Sequence, residues 1–203
     1  MRSIPTDETL YATEQRESAV VLRLISDDGT NRLTRARVQA LTAAIEELAA
    51  SPPAGLILTG NLHYFSAGAD LNEITALTGP EAFHFARMGQ RLMNAIAGFP
   101  SPAVAAVHGY CLGGGLDLAL ACHHRIAAPH ALFGHRGAAL GLITGWGGTQ
   151  RLPWLIGKAR ALEMFLAAEK LHAARACAIG LVDAIADDPL AAALASQGRV
   201  ARR

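Results

Sequence analysis

Three observations predict an α/β fold. Apolar runs of strand length, Gly55-Leu56-Ile57-Leu58-Thr59-Gly60 and Ala103-Val104-Ala105-Ala106-Val107, are each followed by a turn of small residues and then by a segment rich in helix formers. Other segments space their apolar residues for one helix face. The chain has 203 residues, 51% of them hydrophobic, enough for one domain with a sizeable core.

Residues 1–17 lack periodicity and are expected to form a loose arm ahead of a folded core over residues 18–187. Ala19 to Ile25 reads as the first strand, and Asp27-Asp28-Gly29-Thr30 as a turn. Thr34 is a candidate N-cap for a helix whose apolar face is Val38, Leu41, Ile45 and Leu48, and which ends before Pro52-Pro53. The strand at Leu56 to Leu58 leads into the turn Phe65 to Leu71. A second amphipathic helix starts near Pro80, presents Phe85, Met88, Leu92 and Ile96, and stops before Pro100 and Pro102; Arg87 and Arg91 read as solvated charges on it. His124 to Ala128 and Ala131 to Phe133 read as short strands, Ala159 to Ala168 as a helix and Leu181 to Ile185 as a last strand. Residues 188–203 are expected to form a short helical tail, with Leu190 to Ala195 its helix.

Composition excludes several functions. With 18 basic and 17 acidic residues the net charge is +1, which favours neither nucleic acid nor an anionic membrane as partner. Asp7, Glu8, Glu14 and Glu17 interrupt the first thirty residues, which contain no long apolar run; a cytoplasmic protein without signal peptide or membrane span is expected. Cys111, Cys122 and Cys177 form no CxxC and read as thiols in a reducing compartment. His123, His124, His130 and His135 match no recurrent ligand spacing, so no metal is expected. Gly113-Gly114-Gly115 does not complete the GxGxxG of dinucleotide folds.

The central stretch is Gly109-Tyr110-Cys111-Leu112-Gly113-Gly114-Gly115-Leu116-Asp117-Leu118, read as strand, glycine turn and helix. Consecutive glycines allow close approach to the backbone and leave the amides of the first helical turn open to a developing negative charge. Tight packing of the helix on a sheet is the other reading of the same glycines. Asp117, three residues after Gly114, would place a carboxylate at the same spot. Amides with a carboxylate beside them are suited to chemistry at a thioester enolate. Cys111 near His108 lacks an orienting third group, and reads as a buried small side chain rather than a nucleophile.

Together with Phe65-Ser66-Ala67-Gly68-Ala69-Asp70-Leu71 and Gly147-Gly148-Thr149-Gln150-Arg151-Leu152, this stretch resembles the crotonase superfamily of enoyl-CoA hydratases and isomerases, from about Ala19 to Leu190. The resemblance implies a spiral core of ββα turns, with the helical region that usually follows it at the C-terminus largely missing. It implies an acyl-CoA-processing enzyme, first an enoyl-CoA hydratase, with an isomerase using one carboxylate or a non-catalytic acyl-CoA-binding protein as alternatives. It also implies a trimer-based homo-oligomer, and coenzyme A as part of the substrate with no permanently bound cofactor. By the same resemblance the amides of Ala69 and Gly114 form the oxyanion hole and Asp117 is the acid/base. Ala67, Gly68, Asp70, Leu71 and Gly113 contact substrate. Arg32 and Arg35 are candidates for the coenzyme A phosphate. Hydratases of the family carry a second glutamate, and that position is Gly137 here. Three readings stay open: His135, on the same strand face as Gly137, supplies an imidazole; bicarbonate takes the carboxylate's place, as in naphthoyl-CoA synthases with a similar Phe-Gly-x-x-Gly stretch; or nothing replaces it.

Overall fold

In the computed structural model, which describes residues 9–16 and 19–197, the chain runs β1 (Tyr11–Gln15), β2 (Val20–Leu24), α1 (Arg35–Ala50), β3 (Leu56–Thr59), β4 (Tyr64–Ser66), α2 (Leu71–Thr75) and α3 (Gly79–Ala97). It continues through β5 (Ala103–Val107), β6 (Tyr110–Leu112), α4 (Gly114–Ala121), β7 (His124–Ala127) and β8 (Leu132–Gly134) to a 3-10 turn, Gly137–Leu140. The described chain ends with α5 (Gly148–Ile156), α6 (Lys158–Ala167), β9 (Leu171–His172), α7 (Ala173–Ala178), β10 (Ala184–Ile185) and α8 (Pro189–Ser196).

Successive strand pairs are dealt alternately into two sheets. One has the order β1-β2-β3-β5-β7-β10 and the other β4-β6-β8-β9. Each turn of chain adds a strand to both and returns through a helix, giving parallel pairs β3/β5, β5/β7, β4/β6 and β6/β8. This is the ββα spiral.

Strand alternation decides what each face buries. Leu56, Leu58, Ala103, Ala105 and Val107 point into the larger core with α1, α3 and α4. Ile57, Val104 and Ala106 point the other way, where Ala193 of α8 and its neighbour Leu190 cover them. Burial on both faces explains why these strands read as unbroken apolar runs. Thr34 caps α1, its side-chain oxygen accepting from the Arg37 amide at 3.2 Å. At the start of α3 the Glu81 carboxylate accepts from the Thr78 amide at 2.8 Å.

Apart from Asp117, helix α4 is apolar all round, with Leu116, Leu118 and Ala119 fully buried, the pattern of a helix inside the core. Its C-terminal carbonyls are met by Arg125, itself buried. The guanidinium donates to the Cys122 carbonyl at 2.8 Å, the Leu181 carbonyl at 2.8 Å and Asp183 Oδ2 at 3.1 Å. The Arg125 amide donates to the same carboxylate oxygen at 2.9 Å. One ion pair thus ties the end of α4 to β7 and to the segment before β10.

Three expectations are corrected. Residues 11–15, placed in the loose arm, form a strand paired antiparallel with β2; an edge strand with four exposed residues carries no alternation to read. The arm's boundary at residues 17 and 18, and residues 1–8, lie outside the described residues. In the segment expected as a strand from Leu181, only Ala184 and Ile185 pair, because the Leu181 and Val182 amides bond back to the Ala176 carbonyl. Arg91 is not simply solvated but makes a bidentate pair with Glu46 at 2.8 Å, exposed and worth little to stability. Among the described residues no helix is long and apolar enough to cross a membrane.

Asp183→Ala removes the carboxylate beside a buried guanidinium. The expected outcome is a loss of about 3 kcal/mol of unfolding free energy, read from the urea midpoint with circular dichroism; a shift under about 0.5 kcal/mol would show that the pair does not hold α4 in place.

Candidate active site

The turn after β4 is anchored from behind. The Ser66 hydroxyl donates to the Asn31 carbonyl at 2.7 Å and accepts from the Gly68 amide at 3.1 Å, while the Leu33 amide donates to the Gly68 carbonyl at 2.8 Å. Asp70 then caps α2, its Oδ1 accepting from the Asn72 amide at 2.8 Å and the Glu73 amide at 3.2 Å. Its carboxylate is therefore occupied with the helix, and Asp70 does not line the cavity described below. Arg32 is drawn to Asp28 at 3.2 Å, and the Arg35 guanidinium lies 5.5 Å from the centre of the Phe85 ring.

The second turn touches the first. Gly68 has φ +93° and Gly113 φ +52°, conformations that disfavour side chains. A Cβ on Gly68 would stand 2.6 Å from the Leu112 carbonyl oxygen and 3.0 Å from the Gly114 nitrogen; one on Gly114 would stand 3.2 Å from the Ala69 nitrogen. Among the described residues no acceptor engages the amide of Ala69 or of Gly114. Both turns open onto one cavity of about 580 Å³, lined by Ala67, Gly68, Ala69, Leu71, Gly113 and Gly114 on this side. Leu77, Phe85, Leu140, Ile143, Trp146 and Phe165 make much of the rest.

Asp117 lies on the first turn of α4 and is 2% exposed, although the rest of that helix is apolar. The Thr144 hydroxyl donates a short hydrogen bond to its Oδ2. Its Oδ1 faces His135 Nε2 at 3.3 Å, and neither atom has another partner or completes a hydrogen bond with the other. Gly148 closes over the pair: a Cβ there would fall 2.2 Å from Oδ1 and 2.9 Å from Nε2. Burial draws the Arg151 guanidinium pKa down while the charge of Asp117 draws it up. Arg151 holds the cover in place, donating to Asn94 Oδ1 at 2.8 Å. Cys111 is fully buried and burial pushes its thiol pKa well up, which suits packing and not nucleophilic attack.

His135 and Gly137 do not share a strand face. β8 ends at Gly134, and the chain then winds into the 3-10 turn that begins at Gly137. His135 reaches Asp117 because β8 delivers it there, not by alternation. Gly137 lines the same cavity, but a Cβ on it would stand 2.6 Å from the Leu142 carbonyl oxygen. The backbone is folded around a glycine, so this is not a site from which a glutamate has merely been deleted.

Sequence reasoning missed Thr144 and Trp146. The density of glycines from Gly137 to Gly148 pointed to the segment, but only the fold shows which side chains within it turn inward. Trp146 is 3% exposed; its Nε1 donates to the Phe85 carbonyl at 3.3 Å and its ring lies 5.3 Å from that of Phe85.

Known proteins resemble this chain in sequence and fold. The profile of the Enoyl-CoA hydratase/isomerase family matches residues 14–197. A curated relative, the "Probable enoyl-CoA hydratase" of Bacillus subtilis (strain 168), is 48% identical over 134 residues, which are 66% of this chain and 52% of the relative. The match thus spans about half the length of that relative. Among solved structures, Pseudomonas aeruginosa DspI is 33% identical over 100% of this chain and 79% of its own, with a TM-score of 0.89. An enoyl-CoA hydratase from Bacillus anthracis is 32% identical over 94% of this chain and 78% of its own, with a TM-score of 0.86. With spiral, paired turns and family profile in agreement, the chain belongs to the enoyl-CoA hydratase/isomerase family, the crotonase superfamily.

Proposed function

We propose that the protein hydrates a 2-enoyl-CoA thioester, with the thioester oxygen held by the amides of Ala69 and Gly114 and with Asp117 as the acid/base. The observation that carries this reading is the opening of two unengaged amides and one buried carboxylate onto a single apolar cavity. Addition of water at C3 moves charge onto the thioester oxygen, and two fixed N–H donors in a water-poor site stabilise that enolate; one such donor is worth about 3 kcal/mol. Asp117 takes a proton as the water oxygen bonds to C3, and C2 then collects one from the Asp117–His135 pair. His135 is thus the group that stands in for the family's second carboxylate. The Thr144 hydrogen bond fixes Oδ2 and leaves Oδ1 toward the imidazole.

A second reading has its own observation: among the described residues lining the cavity, Asp117 is the only carboxylate. One carboxylate suffices to take a proton from C2 of a 3-enoyl-CoA and return it at C4, which would make the protein an isomerase. In either case the proposed compartment is the cytoplasm, supported by the free thiols of Cys111, Cys122 and Cys177. A homo-oligomer has a candidate face in the exposed Trp154 and Leu162 of α5 and α6.

The assay is loss of the conjugated thioester absorbance with a short 2-enoyl-CoA, run beside conversion of a 3-enoyl-CoA. Asp117→Asn is expected to lower turnover at least about 100-fold while acyl-CoA binding persists; unchanged turnover would remove Asp117 from the chemistry. His135→Gln is expected to lower hydration about 10- to 100-fold and isomerisation much less. Hydration absent in the wild type with isomerisation present selects the second reading. A rate that rises with added bicarbonate would assign the partner role to an exogenous anion instead of His135. Binding without either reaction would leave a non-catalytic acyl-CoA-binding protein.

A further inference from the structure

The cavity is apolar on every side but the one that holds Asp117, His135 and Arg136, and one large side chain packs directly beside Gly114. A Cβ built on Gly114 would lie 2.6 Å from Trp146 Cζ3 and 2.8 Å from Cε3. The six-membered edge of the indole therefore packs directly on the Gly114 backbone. With the thioester oxygen at the Ala69 and Gly114 amides, this edge borders the path of the first carbons beyond the carbonyl.

The indole is held as a fixed wall. Its Nε1 bonds to the Phe85 carbonyl, its backbone amide donates to Thr144 Oγ1 at 3.4 Å, and its ring packs on Phe85. Its pyrrole edge fills the recess left by Gly89 on α3, where a Cβ would fall 2.2 Å from Nε1. The space between Gly114 and α3, which would otherwise lead from the cavity into the core, is occupied by this ring. What remains leads outward past Leu140, Ile143 and Leu166, which are 57%, 73% and 69% exposed.

We propose that Trp146 determines the acyl length the cavity accepts, by closing the inward direction and turning the chain toward the mouth. This rests on the placement of the thioester proposed above. Carbons that stay inside the cavity gain burial at about fourfold in affinity per methylene, whereas carbons that pass the exposed rim at Ile143 and Leu166 gain little. The wild-type profile should therefore rise from a four-carbon acyl group and level off once the chain reaches the rim. Removing the indole opens a second, fully buried direction toward Gly89, which carbons beyond that length can enter.

The test is a series of saturated acyl-CoAs from four to fourteen carbons, measured for Kd by calorimetry, beside the matching 2-enoyl-CoAs measured for kcat/KM. In Trp146→Ala the levelling-off is expected to move to chains longer by several carbons, with the longest bound about tenfold or more tighter than by the wild type and the four-carbon compound more weakly. Gly89→Ala, which crowds the indole toward Gly114, is expected to move the profile the opposite way. Trp146→Phe, with melting curves for all variants, guards against misfolding and should give an intermediate profile. Parallel profiles in the wild type, Trp146→Phe and Gly89→Ala would overturn the proposal. Because Kd needs no turnover, a profile that shifts in proteins that never react sinks the proposed hydration and leaves the length selection standing. Turnover with an unshifted profile does the reverse.

Discussion

The contact between two backbone turns is the constraint on which the rest of this structure depends. Gly68 and Gly114 come from consecutive circuits of the spiral; a methyl group on Gly68 would strike the Leu112 carbonyl oxygen and press on the Gly114 nitrogen, and one on Gly114 would crowd the Ala69 nitrogen. The parallel pairing of β4 with β6 brings the turns level, and the absence of Cβ atoms lets them close. The same glycines also serve packing, since a Cβ on Gly115 would stand 2.6 Å from the Ser66 carbonyl oxygen. Close packing and access to amides are therefore one property of the backbone here, and neither reading of the glycine run excludes the other.

The second organising fact is a carboxylate on the most buried helix. An ionised group in such a place costs several kcal/mol unless it is paired or hydrogen-bonded. Asp117 is met by Thr144 and His135, both supplied by the segment that follows β8. That segment also carries Trp146 and Gly148, so it supplies the partner groups, one wall and the cover of the cavity. At the far end of α4, the Arg125 guanidinium donates to a free carbonyl of the helix end and is itself held by the Asp183 carboxylate, which fixes the helix relative to β7. The catalytic proposal thus relies on a helix anchored at both ends.

Much of this was legible in the sequence, for identifiable reasons. Strands buried on both faces leave unbroken apolar runs, as at Leu56 and Ala103, and the cap at Thr34 is a local signal. The two glycine turns and the carboxylate three residues after Gly114 could be read because spacing along one helix is a local matter. The two- and three-residue strands β4, β6 and β9 are too short to carry a period, and β1 exposes four of its five residues. His135 was placed near the site on a strand argument that fails, since the strand stops one residue earlier. Its position and those of Thr144 and Trp146 depend on how the chain folds back over α4, which no local pattern encodes.

The central claim is that the amides of Ala69 and Gly114 polarise a thioester carbonyl. It is tested most directly by the vibrational spectrum of an unreactive acyl-CoA, labelled with carbon-13 at the thioester carbon, free and bound to the protein. Two donors within hydrogen-bond reach of that oxygen should weaken its double bond, so the account predicts a carbonyl stretch that moves to clearly lower frequency on binding. A bound thioester whose carbonyl absorbs where it does in water would contradict it.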